Sequence, residues 1–140
     1  MASDNSTDGT DGIVEEFMSK HLDSNIRLFR VRERMGKTNA QNEAQKTVTT
    51  EYLVMTDANS IMDRQAVREL MASFSSEDIA YVTGRLSIVN PHASDISNAE
   101  VRYWDGDLAI REIEGKIKTI TAGNGALYAC RTKDYHDFAP

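Results

Sequence analysis

The sequence predicts an α/β fold built on a largely parallel sheet. Helix-spaced apolar segments alternate with short apolar runs along most of the chain, the order that βα units produce. The run Tyr52-Leu53-Val54-Met55-Thr56 suits a strand covered on both faces and passes straight into Asp57-Ala58-Asn59-Ser60. No repeat or low-complexity linker interrupts the pattern. The 140 residues therefore read as one domain or part of one, long enough to bury a core.

Taken in order, Asp4 to Asp11 is a polar, glycine-bearing loop. The helix after it carries Ile13, Val14, Phe17, Met18 and Leu22 at helical spacing, and Asp8, Asp11, Glu15 and Glu16 suit the positive end of its dipole. Ile26 to Val31 reads as a strand, Thr38 to Val48 as a short helix after Gly36, and residues 52–56 as the buried strand. Arg64 to Phe74 is amphipathic, with Ala66, Val67, Leu70, Met71 and Phe74 on one side, and Ser60 or Asp63 stands where a cap belongs. Ile79 to Thr83 is a further strand, continued past Gly84 by Leu86 to Val89 and closed by Asn90-Pro91. Ile96 to Lys118 predicts a long helix with Trp104, Leu108, Ile113 and Ile117 as its buried stripe. Ala126 to Cys130 is the last strand. Both ends read as cut: a strand is expected ahead of the Asp4 loop, and Arg131 to Pro140 begins a new element.

Composition narrows the function classes. Forty per cent hydrophobic and 27% charged residues are ordinary for a soluble globular protein. A net charge of −6 without a compensating basic block argues against a nucleic-acid partner. Arg27, Arg30, Arg32, Arg34 and Lys37 form a local basic cluster that reads equally as a solvated strand edge or an anion-facing strip. The single cysteine, Cys130, excludes an internal disulfide framework. No apolar run reaches the ~18 residues of a membrane span, and residues 1–4 lack a signal pattern, so a cytoplasmic location is expected.

Several motifs fail on inspection. Gly36-Lys37-Thr38 lacks the glycine five positions earlier that a phosphate loop needs, since Val31 stands there. Asp4, Ser6, Asp8, Gly9 and Glu15 have calcium-loop spacing, but no helix enters the loop and its central apolar position is Asp11. His21, His92 and His136 have no zinc-like grouping. Cys130 lies within an apolar strand, and no nucleophile elbow is present.

Four polar groups then fall along the expected ligand edge of the sheet: the Asp4 loop, Lys37, the Asp57/Asn59 pair, and Gly123-Asn124-Gly125. Taken alone, Asp57-Ala58-Asn59 reads more simply as an ordinary turn or cap. As a set the four suit a nucleotide sugar. An acid accepts a hydrogen bond from a base, a lysine neutralises diphosphate, and hard oxygen donors hold a divalent cation bridging to phosphate. Glycines allow close backbone approach to a sugar.

These residues resemble family 2 glycosyltransferases, the large GT-A group that includes cellulose, chitin, hyaluronan and poly-N-acetylglucosamine synthases. Asp4-Asn5-Ser6-Thr7-Asp8-Gly9-Thr10 is similar to their Asp-x-Ser-x-Asp-x-Thr loop, and Gly36-Lys37-Thr38-Asn39-Ala40-Gln41-Asn42 to their Gly-Lys-x-x-Ala-x-Asn segment. Asp57-Ala58-Asn59 resembles their DxD metal motif, and Ala122-Gly123-Asn124-Gly125-Ala126 with Arg131 resembles their Gly-x-Asn-Gly-Ala stretch ending in arginine.

The resemblance implies a GT-A fold, Rossmann-like and mostly parallel, of which residues 1–140 are the central part. It implies an inverting transfer of sugar from a nucleotide-diphosphate donor, a UDP-sugar above all, to a glycan or lipid-linked acceptor. By the same resemblance, Asp4 contacts the nucleobase and Lys37 lies near base or diphosphate. Asp57 meets ribose or donor sugar, and Asn59 with Asp57 holds Mg2+ or Mn2+. Gly123 and Asn124 line the sugar and acceptor pocket. Asn59 departs from the family's carboxylate and weakens the metal site. The general base is expected after residue 140, so little or no transfer is expected from these residues alone. The rival reading is a non-catalytic GT-A-like module. Absent first strands would leave open edges, which favour a homo-dimer.

Overall fold

The computed structural model describes residues 1–87, 95–117, 119, 120, 123 and 125–139, with the side chains of 95–105 outside that description. The chain forms two compact units, Met1–Thr50 with Tyr135–Pro140, and Glu51–Asp134.

In the first unit β1 (Ala2–Ser3) pairs in parallel with β2 (Phe29–Arg30), Ala2 opposite Phe29 and Ser3 opposite Arg30. Bonds from Phe29 N–H to Met1 O (2.8 Å) and from Val31 N–H to Ser3 O (3.1 Å) extend the ladder. The strand read as missing ahead of the Asp4 loop is therefore present, as β1. The strand expected over 26–31 narrows to 29–30, because only Met1–Ser3 lie opposite it. Parallel strands need a crossover, and α1 (Thr10–Lys20) lies in that connection. Gly9, at φ 84°, turns the chain into α1.

Polar bonds take a large part in fixing α1. Asp11 is buried and takes a charge-assisted bond from the Arg30 guanidinium on β2, with Glu15 at 3.3 Å from the same group. The buried Ser3 hydroxyl donates to Ser6 Oγ at 3.5 Å and lies near the Asp11 carboxylate. Of the expected apolar stripe, Ile13 is 69% and Phe17 49% exposed, and only Val14 and Met18 are half-buried. Val31 and Ala40, the latter on α2 (Lys37–Gln45), are the buried apolar residues here.

The second unit is a three-stranded sheet in the order β3 (Tyr52–Thr56), β5 (Leu127–Arg131), β4 (Tyr81–Thr83). β5 runs antiparallel to both neighbours, so β3 and β4 share a direction. Leu53, Tyr128, Ala129 and Cys130 are buried in the sheet, together with Leu70 of α3 (Ala66–Ala72). Cys130's thiol is pushed up by burial, as its place in an apolar strand predicts.

On α4 (Asp95–Ile117) the expected buried stripe holds only in part: Leu108 is half-buried, whereas Ile113 and Ile117 are exposed. Trp104 lies outside the described side chains. Residues 84–87 leave the strand, and 88–94, where its continuation was expected, lie outside the described residues. Among the described residues no helix is long and apolar enough to cross a membrane.

Candidate functional site

The predicted residues fall into two groups, one in each unit. In the first, the Asp4 carboxylate spans two consecutive amides: Oδ1 accepts from Met35 N–H at 3.0 Å and Oδ2 from Gly36 N–H at 2.8 Å. Gly36, at φ 96°, lets the chain turn there and start α2, whose first residue is Lys37. The Asp4 loop and the Gly-Lys segment, 32 residues apart, are therefore joined directly. Further along the same loop, the Asp8 carboxyl lies below its ordinary value because Thr10 donates to it through hydroxyl and amide.

In the second unit Asp57 follows the last residue of β3 at the carboxyl edge of the sheet. Its amide donates to Ala126 O at 3.3 Å, and the Thr56 hydroxyl donates to the same carbonyl at 2.9 Å. This ties Asp57 to the end of the Gly123–Ala126 segment. Ser60 N–H donates to Asp57 O at 3.1 Å, closing Asp57-Ala58-Asn59-Ser60 into a turn. The turn reading and the ligand reading thus describe the same four residues.

Beyond the turn, Asp63 Oδ1 accepts from Gln65 N–H at 2.7 Å and starts the chain toward α3. A cavity of about 640 Å³ opens here, lined by residues that include Ser60, Asp63, Leu70, Thr83, Arg85 and Ala126. Its size is that of a small-molecule site. Opposite Gly123 stands Tyr81, whose phenol is pushed up by burial. A Cβ placed on Gly123 would lie 1.4 Å from Tyr81 Oη, so only glycine fits there. Asn124 lies outside the described residues.

Among the described residues no three His, Cys, Asp or Glu side chains gather to hold a metal alone. The donor set on the Asp57 turn, one carboxylate and the Asn59 amide oxygen, suits a hard cation that also takes phosphate oxygens and water. The residues fit a metal carried in with a diphosphate, not a metal held by protein alone.

The model of the family described as Glycosyl transferase family 2 matches residues 1–131. The chain belongs to glycosyltransferase family 2. This family 2 chain is similar in fold to a mannosyltransferase from Pyrobaculum calidifontis in complex with GDP-Man and Mn2+, with a TM-score of 0.71 and 25% identity. The likeness covers 90% of this chain and 32% of that one, so the chain spans about a third of that protein's length. No curated protein matches it. The fold is accordingly α/β of the GT-A kind.

Two functional-looking residues of the family 2 chain were not assigned roles by sequence. Asn42, last residue of the Gly-Lys-x-x-Ala-x-Asn segment, grips the chain near its end. Its Oδ1 accepts from Tyr135 Oη (2.9 Å) and Phe138 N–H (3.1 Å), while its Nδ2 donates to Phe138 O (3.0 Å). Arg131, the arginine closing the fourth motif, is buried and donates to Ile79 O, Ser76 O, Tyr52 Oη and Glu51 at 3.0–3.2 Å. Its guanidinium also lies 5.1 Å from the Tyr52 ring centre. In both cases motif membership was the only sequence signal.

Proposed function

We propose that this chain supplies the donor-binding part of an inverting glycosyltransferase that takes a nucleotide-diphosphate sugar, with Mg2+ or Mn2+, and glycosylates a glycan or lipid-linked acceptor. The observation that carries the reading is the Asp57-Ala58-Asn59 turn, tied through Ala126 to the Gly123 segment at a sheet's carboxyl edge beside a cavity. Family membership supports it independently.

In this reading Asp57 and Asn59 hold the cation, which neutralises the departing diphosphate. Lys37 adds positive charge near base or diphosphate, Asp57 meets ribose or sugar, and Gly123 with Asn124 leaves room for the sugar. Such charge stabilisation commonly dominates transfer chemistry. The transfer also needs a general base to deprotonate the acceptor, a contribution of about 10²–10⁴-fold.

The motif resemblance favours uridine as the base. The bound GDP-Man of the mannosyltransferase neighbour favours guanosine. Calorimetric titration of UDP and GDP, each with and without Mn2+, separates them and tests the whole reading. Metal-dependent binding abolished by Asp57→Ala supports it, and absence of binding by both nucleotides counts against it. Binding without turnover by a version extended at both ends would favour the non-catalytic module, toward which Asn59 points. Self-association through open strand edges belongs to the same proposal, and a monomer in sedimentation at micromolar concentration excludes it.

A further inference from the structure

We propose, on the donor-binding reading above, that Asn42 is a positioning residue of the donor site. By gripping residues 135–138 it holds the helix that presents Lys37, and so links donor binding to the docking of that segment.

The helix needs such a hold. α2 has nine residues, with Ala40 as its buried one, and a helix this short is marginal on its own in water. Thr38, Asn39 and Asn42 lower its propensity further. At its start, the Met35 and Gly36 amides donate to the Asp4 carboxylate at 3.0 and 2.8 Å. Asn42 stands five residues after Lys37, roughly 7.5 Å along the helix axis.

The Asn42 amide is used almost fully. An asparagine offers two acceptor and two donor sites. Oδ1 accepts from Tyr135 Oη at 2.9 Å and from Phe138 N–H at 3.1 Å, and Nδ2 donates to Phe138 O at 3.0 Å. The side chain thus bonds both backbone groups of one residue, as a neighbouring strand would. The Tyr135 and Phe138 rings meet edge to face at 5.7 Å. Just past the helix, the Lys46 ammonium is pushed up, first by Glu43 and also by the charge of Asp137. Residues 135–138 therefore lie along α2 from Asn42 to Lys46, and all of these residues belong to one compact unit.

Such a grip acts at a distance from the ligand. Released, α2 frays, and Lys37 has to be ordered each time a diphosphate binds, which costs affinity. Held, Lys37 is pre-organised. The link is reciprocal: a docked segment that favours the nucleotide is itself favoured by the nucleotide, by the same factor. A side chain that only stabilised the fold would show neither effect.

The test is calorimetric titration of UDP and GDP, each with Mn2+, into the wild-type protein, Asn42→Ala, Lys37→Ala and the double variant. Asn42→Ala should weaken the nucleotide that the wild type binds by about three- to tenfold, the cost of ordering one long side chain. The double variant should bind no more weakly than Lys37→Ala, because the grip works through Lys37. Nucleotide should slow amide exchange at Phe138 in the wild type and leave it unchanged in Lys37→Ala. Should Asn42→Ala fail to fold, Tyr135→Phe, which removes one of the three bonds, should show the same pattern at smaller size. Unchanged affinity, additive losses, or exchange at Phe138 that ignores the nucleotide overturns the proposal and leaves the donor-binding reading standing. A wild type that binds neither nucleotide overturns both.

Discussion

In the unit of Met1–Thr50 and Tyr135–Pro140 the buried residues are Val31 and Ala40 with Ser3 and Asp11, whereas the unit of Glu51–Asp134 buries Leu53, Leu70, Tyr128, Ala129, Cys130 and Arg131. Two small apolar side chains contribute only a few kcal/mol at about 25 cal/mol per Å². Directed bonds must therefore set the geometry of the first unit: Arg30 to Asp11, Asp4 to two amides, Asn42 to Tyr135 and Phe138. The second unit has a sheet and apolar packing, with one buried guanidinium at the end of its central strand. The candidate site residues of the first are placed by hydrogen bonds, and those of the second by a strand ladder.

The strongest way to break this comparison is Arg131→Met, which keeps apolar bulk but leaves the Ile79 and Ser76 carbonyls without their donor. A loss of about 1–3 kcal/mol for each carbonyl left unsatisfied is expected in urea unfolding. Hydrogen exchange should show β3 and β5 losing protection while α1 keeps it. Simultaneous loss in both units would erase the distinction. Arg131→Lys should recover little, because an ammonium cannot reach several acceptors in one plane.

Gly123→Ala comes next. Its new methyl collides with Tyr81, at 1.4 Å from Oη and 2.4 Å from Cζ, and overpacking of this kind costs about 1–3 kcal/mol. Tyr81→Ala in the same chain should relieve the collision, visible as partial recovery of the unfolding midpoint relative to the two single changes.

Asn42→Ala sharpens the other side. It removes three bonds at the protein surface and should cost about 1–2 kcal/mol. The faster amide exchange should be confined to 135–138 and α2, because that grip belongs to the first unit alone.

The smallest effect is Asp11→Asn. The Asp11 carboxyl lies below its ordinary value, chiefly because the nearby Ser3 hydroxyl favours its charged form and then because Arg30 faces it. Its folded pKa is depressed, so its contribution is full above the unfolded value of about 3.9. It is lost as pH falls through the lower folded value. Wild type should be the more stable above pH ~4, and the two curves should converge below it. A gap that widens on acidification would contradict the assignment.

Much of the local structure was legible. The 52–56 strand falls where periodicity puts it, and the helices after residues 9, 36 and 65 begin close to their expected starts. Motif order named the Asp4 loop, the Gly-Lys segment, Asp57 and the Gly123 stretch, but not the bonds that join Asp4 to Gly36 and Asp57 to Ala126. Partners that lie far along the chain were not legible. Asn42 meets Tyr135 93 residues later, and Arg131 reaches Ile79 52 residues back. Asp11 read as an acid suited to a helix start, and its partner Arg30 stands 19 residues away on β2. The apolar positions of α1 and α4 kept helical spacing, yet spacing says only that a face exists, not that anything covers it.

By itself the sequence determined which segments are helix or strand, which turns need glycine, and which family the chain resembles. These depend on backbone preference and side-chain period over a few residues. The tertiary structure alone decided that β5 enters antiparallel between β3 and β4, that Asp4 holds backbone, and that polar bonds dock α1. Those outcomes depend on closing long loops against the sum of distant contacts, a balance that no short window of residues contains.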